Sequence, residues 1–80
     1  NYYISSPIYE ANFRVDDYPI VYDDERALYW VQNNEVPAAY QRFLHFETHE
    51  YHSAYPVFEL KIRQGSLGYK IVESKQIINQ

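Results

Sequence analysis

The longest run with a helical apolar period is Glu35-Val36-Pro37-Ala38-Ala39-Tyr40-Gln41-Arg42-Phe43-Leu44-His45-Phe46-Glu47-Thr48. Pro37 suits a first helical position, and Glu35 just upstream puts a negative charge where a helix N-terminus favours one. On a helical wheel Val36, Ala39, Tyr40, Phe43, Leu44 and Phe46 share one face, while Gln41, Arg42 and His45 lie away from it. The spacing predicts a main helix over about residues 36–48, packed on something apolar. Past Phe46 the same wheel turns Glu47 and Glu50 inward, so the helix must end near Thr48 or hold those carboxylates at its margin.

Downstream the period changes to two. Phe58, Leu60 and Ile62 face one way and Val57, Glu59, Lys61 and Arg63 the other, which reads as a half-buried strand. Gln64-Gly65-Ser66-Leu67-Gly68 contains both glycines of the chain and leads into Tyr69-Lys70-Ile71-Val72-Glu73, so a β-hairpin is expected over about residues 57–63 and 68–74. Upstream, Arg26-Ala27-Leu28-Tyr29-Trp30-Val31 follows three acids and reads either as a short capped helix or as a strand after a solvated turn. The strand is preferred, because the run is short, rich in aromatics and closed by Asn33-Asn34. Residues 1–22 alternate short β-prone patches with breakers at Pro7, Asp16-Asp17 and Pro19, and read as an extended or partly ordered segment. The expected fold is α+β: one domain over residues 1–80, two layers, one helix on an antiparallel sheet.

Ten Tyr, four Phe and one Trp in 80 residues carry more aromatic surface than so small a fold can hide, while the 46% apolar content argues for a folded state. The absence of Cys removes disulfides, thiolate nucleophiles and sulfur-ligated zinc, and points to a reducing, cytoplasmic setting. No apolar run approaches the ~20 residues of a spanning helix, and no signal peptide is expected, so a membrane role is not. The chain starts at Asn1 and has no Met, which reads as a trimmed or excised segment. The net charge of −4 is unevenly distributed. Residues 1–50 carry Glu10, Asp16, Asp17, Asp23, Asp24, Glu25, Glu35, Glu47 and Glu50 against Arg14, Arg26 and Arg42, a balance of −6. Residues 51–80 carry Lys61, Arg63, Lys70 and Lys75 against Glu59 and Glu73, a balance of +2. Such a dipolar chain favours oriented partners, including copies of itself.

Glu35-Val36-Pro37 followed by Gln41 and Leu44, then Val57-Phe58-Glu59-Leu60, then Lys70-Ile71 with Gln76, resembles an uncharacterised family of small Firmicutes proteins that includes members carried on staphylococcal chromosome cassettes. The resemblance covers about residues 27–76; an aromatic is usual in that family where this chain has His45. It implies the order strand, helix, hairpin and a mobile-element origin, and carries over no catalytic residues.

Asp16-Asp17 and Asp23-Asp24-Glu25 bracket Tyr18-Pro19-Ile20-Val21-Tyr22, setting five carboxylates around an aromatic segment that could occupy a basic surface; acid clusters also sit in turns for solubility. His45, His49 and His52, spaced i, i+4 and i+7 on a continued helix, are weak candidates for a metal, without a carboxylate ligand to complete them. No Ser lies in a nucleophile-elbow context and no cofactor motif is present. The sequence therefore predicts a non-enzymatic protein-binding module without a cofactor. Its face would comprise Asp16, Asp17, Tyr18, Tyr22, Asp23, Asp24 and Glu25, acting as a phage or mobile-element inhibitor or adaptor on a nucleic-acid enzyme. Two alternatives are a structural homo-oligomer, acidic half against basic hairpin, and a single-stranded nucleic-acid binder using Lys61, Arg63 and Tyr69. The latter is disfavoured because the Tyr-dense half is the acidic one.

Overall fold

Burial along residues 56–64 alternates strictly: Pro56, Phe58, Leu60 and Ile62 are inside, while Val57, Glu59, Lys61 and Arg63 are only partly covered. A computed structural model describes residues 7–51 and 55–79, and in it this segment is β5 (Pro56–Gln64), the middle strand of an antiparallel sheet. It pairs on one side with β1 (Tyr9–Arg14), where Ala11 faces Leu60 and Phe13 faces Phe58. On the other side it pairs with β6 (Lys70–Asn79), which closes the expected hairpin. A second antiparallel sheet has the order β2 (Ile20–Asp23), β3 (Leu28–Val31), β4 (His45–Glu47). Ala11, Val15, Phe58, Leu60 and Ile62 from the first sheet and its margin join Val31, Val36, Leu44 and Phe46 in a single buried cluster. Each fully buried large side chain there contributes roughly 1.5–3 kcal/mol over its exposed state.

The protein is therefore mainly β, and the expected α+β architecture with a helix over residues 36–48 is not what forms. Among the described residues the longest helical stretch is a six-residue 3-10 segment, Ala38–Phe43. Pro37 holds φ −55° and ψ 147°, a polyproline conformation that places it before the segment and not in a first helical position, and no side chain caps the segment. The apolar positions explain the misreading. Leu44 and Phe46 satisfy a period of two as well as 3.6, and directly after Leu44 the half-covered His45, buried Phe46 and exposed Glu47 form an edge strand. There Tyr29 faces Phe46 and the Val31 N–H donates to the Leu44 carbonyl at 2.9 Å. Side chains supply what helical bonds would have given: Gln41 Nε2 donates to the carbonyls of Asn33 (3.2 Å) and Val36 (3.0 Å), and buried Asn33 accepts from the Glu35 N–H at 2.9 Å. The order strand, helix, hairpin implied by the family resemblance is accordingly replaced by strand, 3-10 turn, strand, hairpin.

The preferred strand at residues 26–31 is present as β3. Asp23 builds its turn by accepting from the N–H groups of Glu25 (3.1 Å) and Arg26 (3.3 Å), and Ala27 takes φ 57° to re-enter the sheet. In the N-terminal third, β1 and a 3-10 turn at Val15–Asp17 precede β2, and residues 1–6 lie outside the described residues.

β6 is an edge strand with two features that oppose further pairing. The register slips between Lys61 and Ile62, leaving Glu73 as a bulge, and Lys75 lies opposite Leu60 on the inward face. Burial pushes the Lys75 ammonium below the ordinary lysine range, against the opposing pull of Glu50 and Glu47.

At the hairpin apex Gly65 accommodates Ile71, whose Cδ1 lies 2.3 Å from where a Cβ on Gly65 would stand. Leu67 holds φ 63° while 91% exposed. The left-handed conformation costs a non-glycine residue about 1–2 kcal/mol, and solvent offers the side chain nothing in return. Leu67→Gly should raise unfolding stability by about 1 kcal/mol in urea denaturation. Phe58→Ala, which empties the middle of the core, should cost about 3–5 kcal/mol, enough to leave most of so small a domain unfolded.

Candidate functional site

Cross-strand pairing aligns aromatic residues on the inward face of the second sheet. Tyr22 lies opposite Tyr29 and Tyr29 opposite Phe46, so their rings form a row with centroids 4.9 and 5.5 Å apart. Tyr51, which follows a 3-10 turn at Thr48–Glu50, extends the row with its ring 5.4 Å from Phe46 and nearly parallel to it. That turn is fixed by a reciprocal cap between Glu47 and Glu50, in which the Glu47 N–H donates to Glu50 Oε2 at 3.1 Å. Ile20, Tyr22, Tyr29, Phe46, Thr48 and Tyr51 enclose a half-open cleft of about 290 Å³. Its walls are aromatic rings and the Ile20 side chain, with phenol and threonine hydroxyls as the polar groups among its lining side chains.

A polar tie closes one end. The Tyr51 hydroxyl donates to Asp16 Oδ1, Asp16 lies 3.8 Å from the Arg14 guanidinium, and Arg14 covers the Tyr55 ring at 4.5 Å. The bond to the Asp16 carboxylate raises the Tyr51 phenol above the usual tyrosine range, and burial and the carboxylate's charge act the same way.

The residues expected to form a binding face are dispersed around this cleft. Tyr22 lies in its wall and is 50% exposed. Asp16 holds its far end, with exposed Asp17 beside it. Asp23 is spent on the β2–β3 turn, where Asp24 and Glu25 are exposed. Tyr18 is half-buried, edge-on to Phe13 at 5.1 Å, and belongs to the core margin. Tyr29, Phe46, Thr48 and Tyr51 were missed. A signal for Tyr29 exists: read as a hairpin around Asp24–Ala27, the sequence places Tyr29 opposite Tyr22. Phe46 and Tyr51 carry none, because only the pairing of β4 with β3 brings them there.

The histidines do not share a helix face. His45 is on β4 with its ring 4.8 Å from Trp30, His49 is in the 3-10 turn with Nδ1 3.2 Å from Glu47, and His52 lies outside the described residues. Among the described residues no three His, Cys, Asp or Glu side chains converge as a metal site. Lys61 and Arg63 lie on the outward face of β5, but Glu10 sits opposite Lys61, and Glu59 on the same face accepts from Gln76 Nε2 at 2.8 Å. The basic residues there do not form an unbroken stripe. No helix of the described residues is long and apolar enough to cross a membrane.

No protein-family model, curated protein or solved structure matches this chain.

Two titrations follow from the geometry. His45 is held below the ordinary histidine range, first by burial and then by Lys75, and also by Arg26; the Arg42 carbonyl and Glu50 oppose this. A depressed histidine contributes stability above its unfolded pKa of about 6.5 that is lost as pH falls through the folded value. The urea midpoint should decline on acidification through this range, and His45→Phe should flatten that part of the profile. Conversely, the raised Tyr51 phenol contributes stability below about pH 10 that is lost as pH rises through its folded value. Burial and the neighbouring Tyr40 raise the Tyr9 phenol as well, so ultraviolet difference titration should show both tyrosines ionising late, and Tyr51→Phe should remove one of the two.

Proposed function

We propose that this domain is a non-enzymatic protein-binding module whose tyrosine cleft receives a side chain from a basic partner surface. The observation that carries the reading is the half-open cleft along the ring row Tyr22, Tyr29, Phe46 and Tyr51, in which Phe46 is buried and Tyr22 is 50% exposed, with Asp16 bonded to Tyr51, Asp17 beside it, and Asp24 and Glu25 exposed in the turn that follows β2. Ring faces attract cations, and nearby carboxylates raise the local concentration of basic groups and fix their approach. Half-exposed tyrosine supplies large contact area with little rotamer entropy to lose, which suits a recognition surface. An acidic face of this kind fits the basic groove of a nucleic-acid enzyme, and an inhibitor or adaptor carried by a phage or mobile element, acting in the cytoplasm, is the setting we assign. The Cys-free composition suits that compartment.

The reading is tested by fluorescence anisotropy with a labelled peptide rich in Arg and Leu, titrated at low and high salt. Binding should weaken with salt, and either Tyr22→Ala or the combined reversal Asp17→Lys, Asp24→Lys and Glu25→Lys should weaken it about tenfold or more. Equal binding by the parent and both variants would overturn the reading.

A further inference from the structure

Two features of the surface leave apolar side chains open to solvent. One is the β5–β6 apex, where Leu67 is 91% exposed in a left-handed conformation and Tyr69 is 69% exposed. Glycine or asparagine would suit that backbone and that exposure better, and the two large side chains exposed together at the apex form an apolar surface that a partner could cover. The other is the tyrosine cleft. Asp16, at its far end, stands two residues beyond β1, whose Arg14 pairs with Val57, seven residues along β5 from Gln64. At ~3.3 Å per residue the apex and that end of the sheet are about 23 Å apart. Their charges are opposite: Arg63 and Lys70 flank the apex, whereas Asp16, bonded to Tyr51 with Asp17 next to it, and Asp23, Asp24 and Glu25, which follow the lining residue Tyr22, outnumber Arg14 and Arg26.

We propose that the Leu67 and Tyr69 apex of one copy seats in the tyrosine cleft of a second copy, with Arg63 and Lys70 brought against Asp17, Asp24 and Glu25. The inference rests on the cleft being a protein-binding site and names its occupant. The fit is one of size as well as charge. A volume of 290 Å³ equals that of about ten liquid waters, which suits a leucine side chain and part of a tyrosine ring. A whole secondary-structure element would not enter. The β6 edge is the less suitable contact, since its bulge and the inward Lys75 oppose strand addition. Because apex and cleft are different surfaces, the contact is heterologous: each bound pair keeps one free apex and one free cleft, so copies add head to tail until a ring closes.

Sedimentation velocity of the whole chain over a range of concentrations, at about 0.05 and 0.5 M salt, tests this. The parent should self-associate, and association should weaken about tenfold or more at high salt. Leu67→Glu removes the apex and Tyr22→Glu the cleft, and each variant alone should remain monomeric while circular dichroism shows it folded. An equimolar mixture should form a 1:1 dimer that grows no further, because Leu67→Glu retains a cleft and Tyr22→Glu an apex. A parent that is monomeric throughout, variants that assemble like the parent, or a folded mixture that stays monomeric would each overturn the inference. A monomeric parent that still binds the basic peptide would remove self-association and leave the cleft reading intact; loss of both would remove both.

Discussion

The structure depends on the burial of one face of β5. Phe58, Leu60 and Ile62 have no solvent exposure, and the strand carrying them is paired on both sides, so its register is doubly fixed. A slip of one residue would turn three core side chains outward and bury Glu59, Lys61 and Arg63 in their place. β1 and β6 are placed by that register. The second sheet is then placed by where Val31, Leu44 and Phe46 can meet the same cluster.

The cleft is a consequence of this arrangement more than of any local motif. Residues opposite one another in an antiparallel pair stand on the same face, so the pairings of Tyr22 with Tyr29 and of Tyr29 with Phe46 leave no freedom in the order of the rings. Tyr51 joins from outside the sheet, and its hydroxyl ties the end of the row to Asp16, just beyond β1. The same carboxylate that charges the rim thus connects the two sheets. Recognition and stability share residues here, which is why exposed positions such as Asp17, Tyr22 and Asp24 separate the two effects better than Asp16 or Phe46 do.

What the sequence reveals depends on whether one period fits better than another. At residues 57–63 only a period of two separates apolar from charged positions, and the strand is plain. At residues 36–46 the two periods share Val36, Leu44 and Phe46, and the choice is made by distant partners. β3 offers a free edge to residues 45–47, and the Gln41 amide holds the preceding loop by bonds no local pattern reveals. The candidate site divides in the same way. Tyr22 and the acids near it stand out as composition, whereas Tyr29, Phe46 and Tyr51 become part of a site only through pairing. Tyr18, grouped with them by sequence proximity, is drawn into the core margin by Phe13.

The central claim is that residues 45–47 form a strand beside β3 and so complete the ring row. Nuclear Overhauser spectroscopy on labelled protein tests it most directly. The account predicts cross-strand backbone contacts between Tyr29 and Phe46 and between Trp30 and His45, together with ring contacts from Phe46 to both Tyr29 and Tyr51. Sequential i to i+3 helical contacts running unbroken through residues 36–48, with no contact from Phe46 to Tyr29, would contradict it.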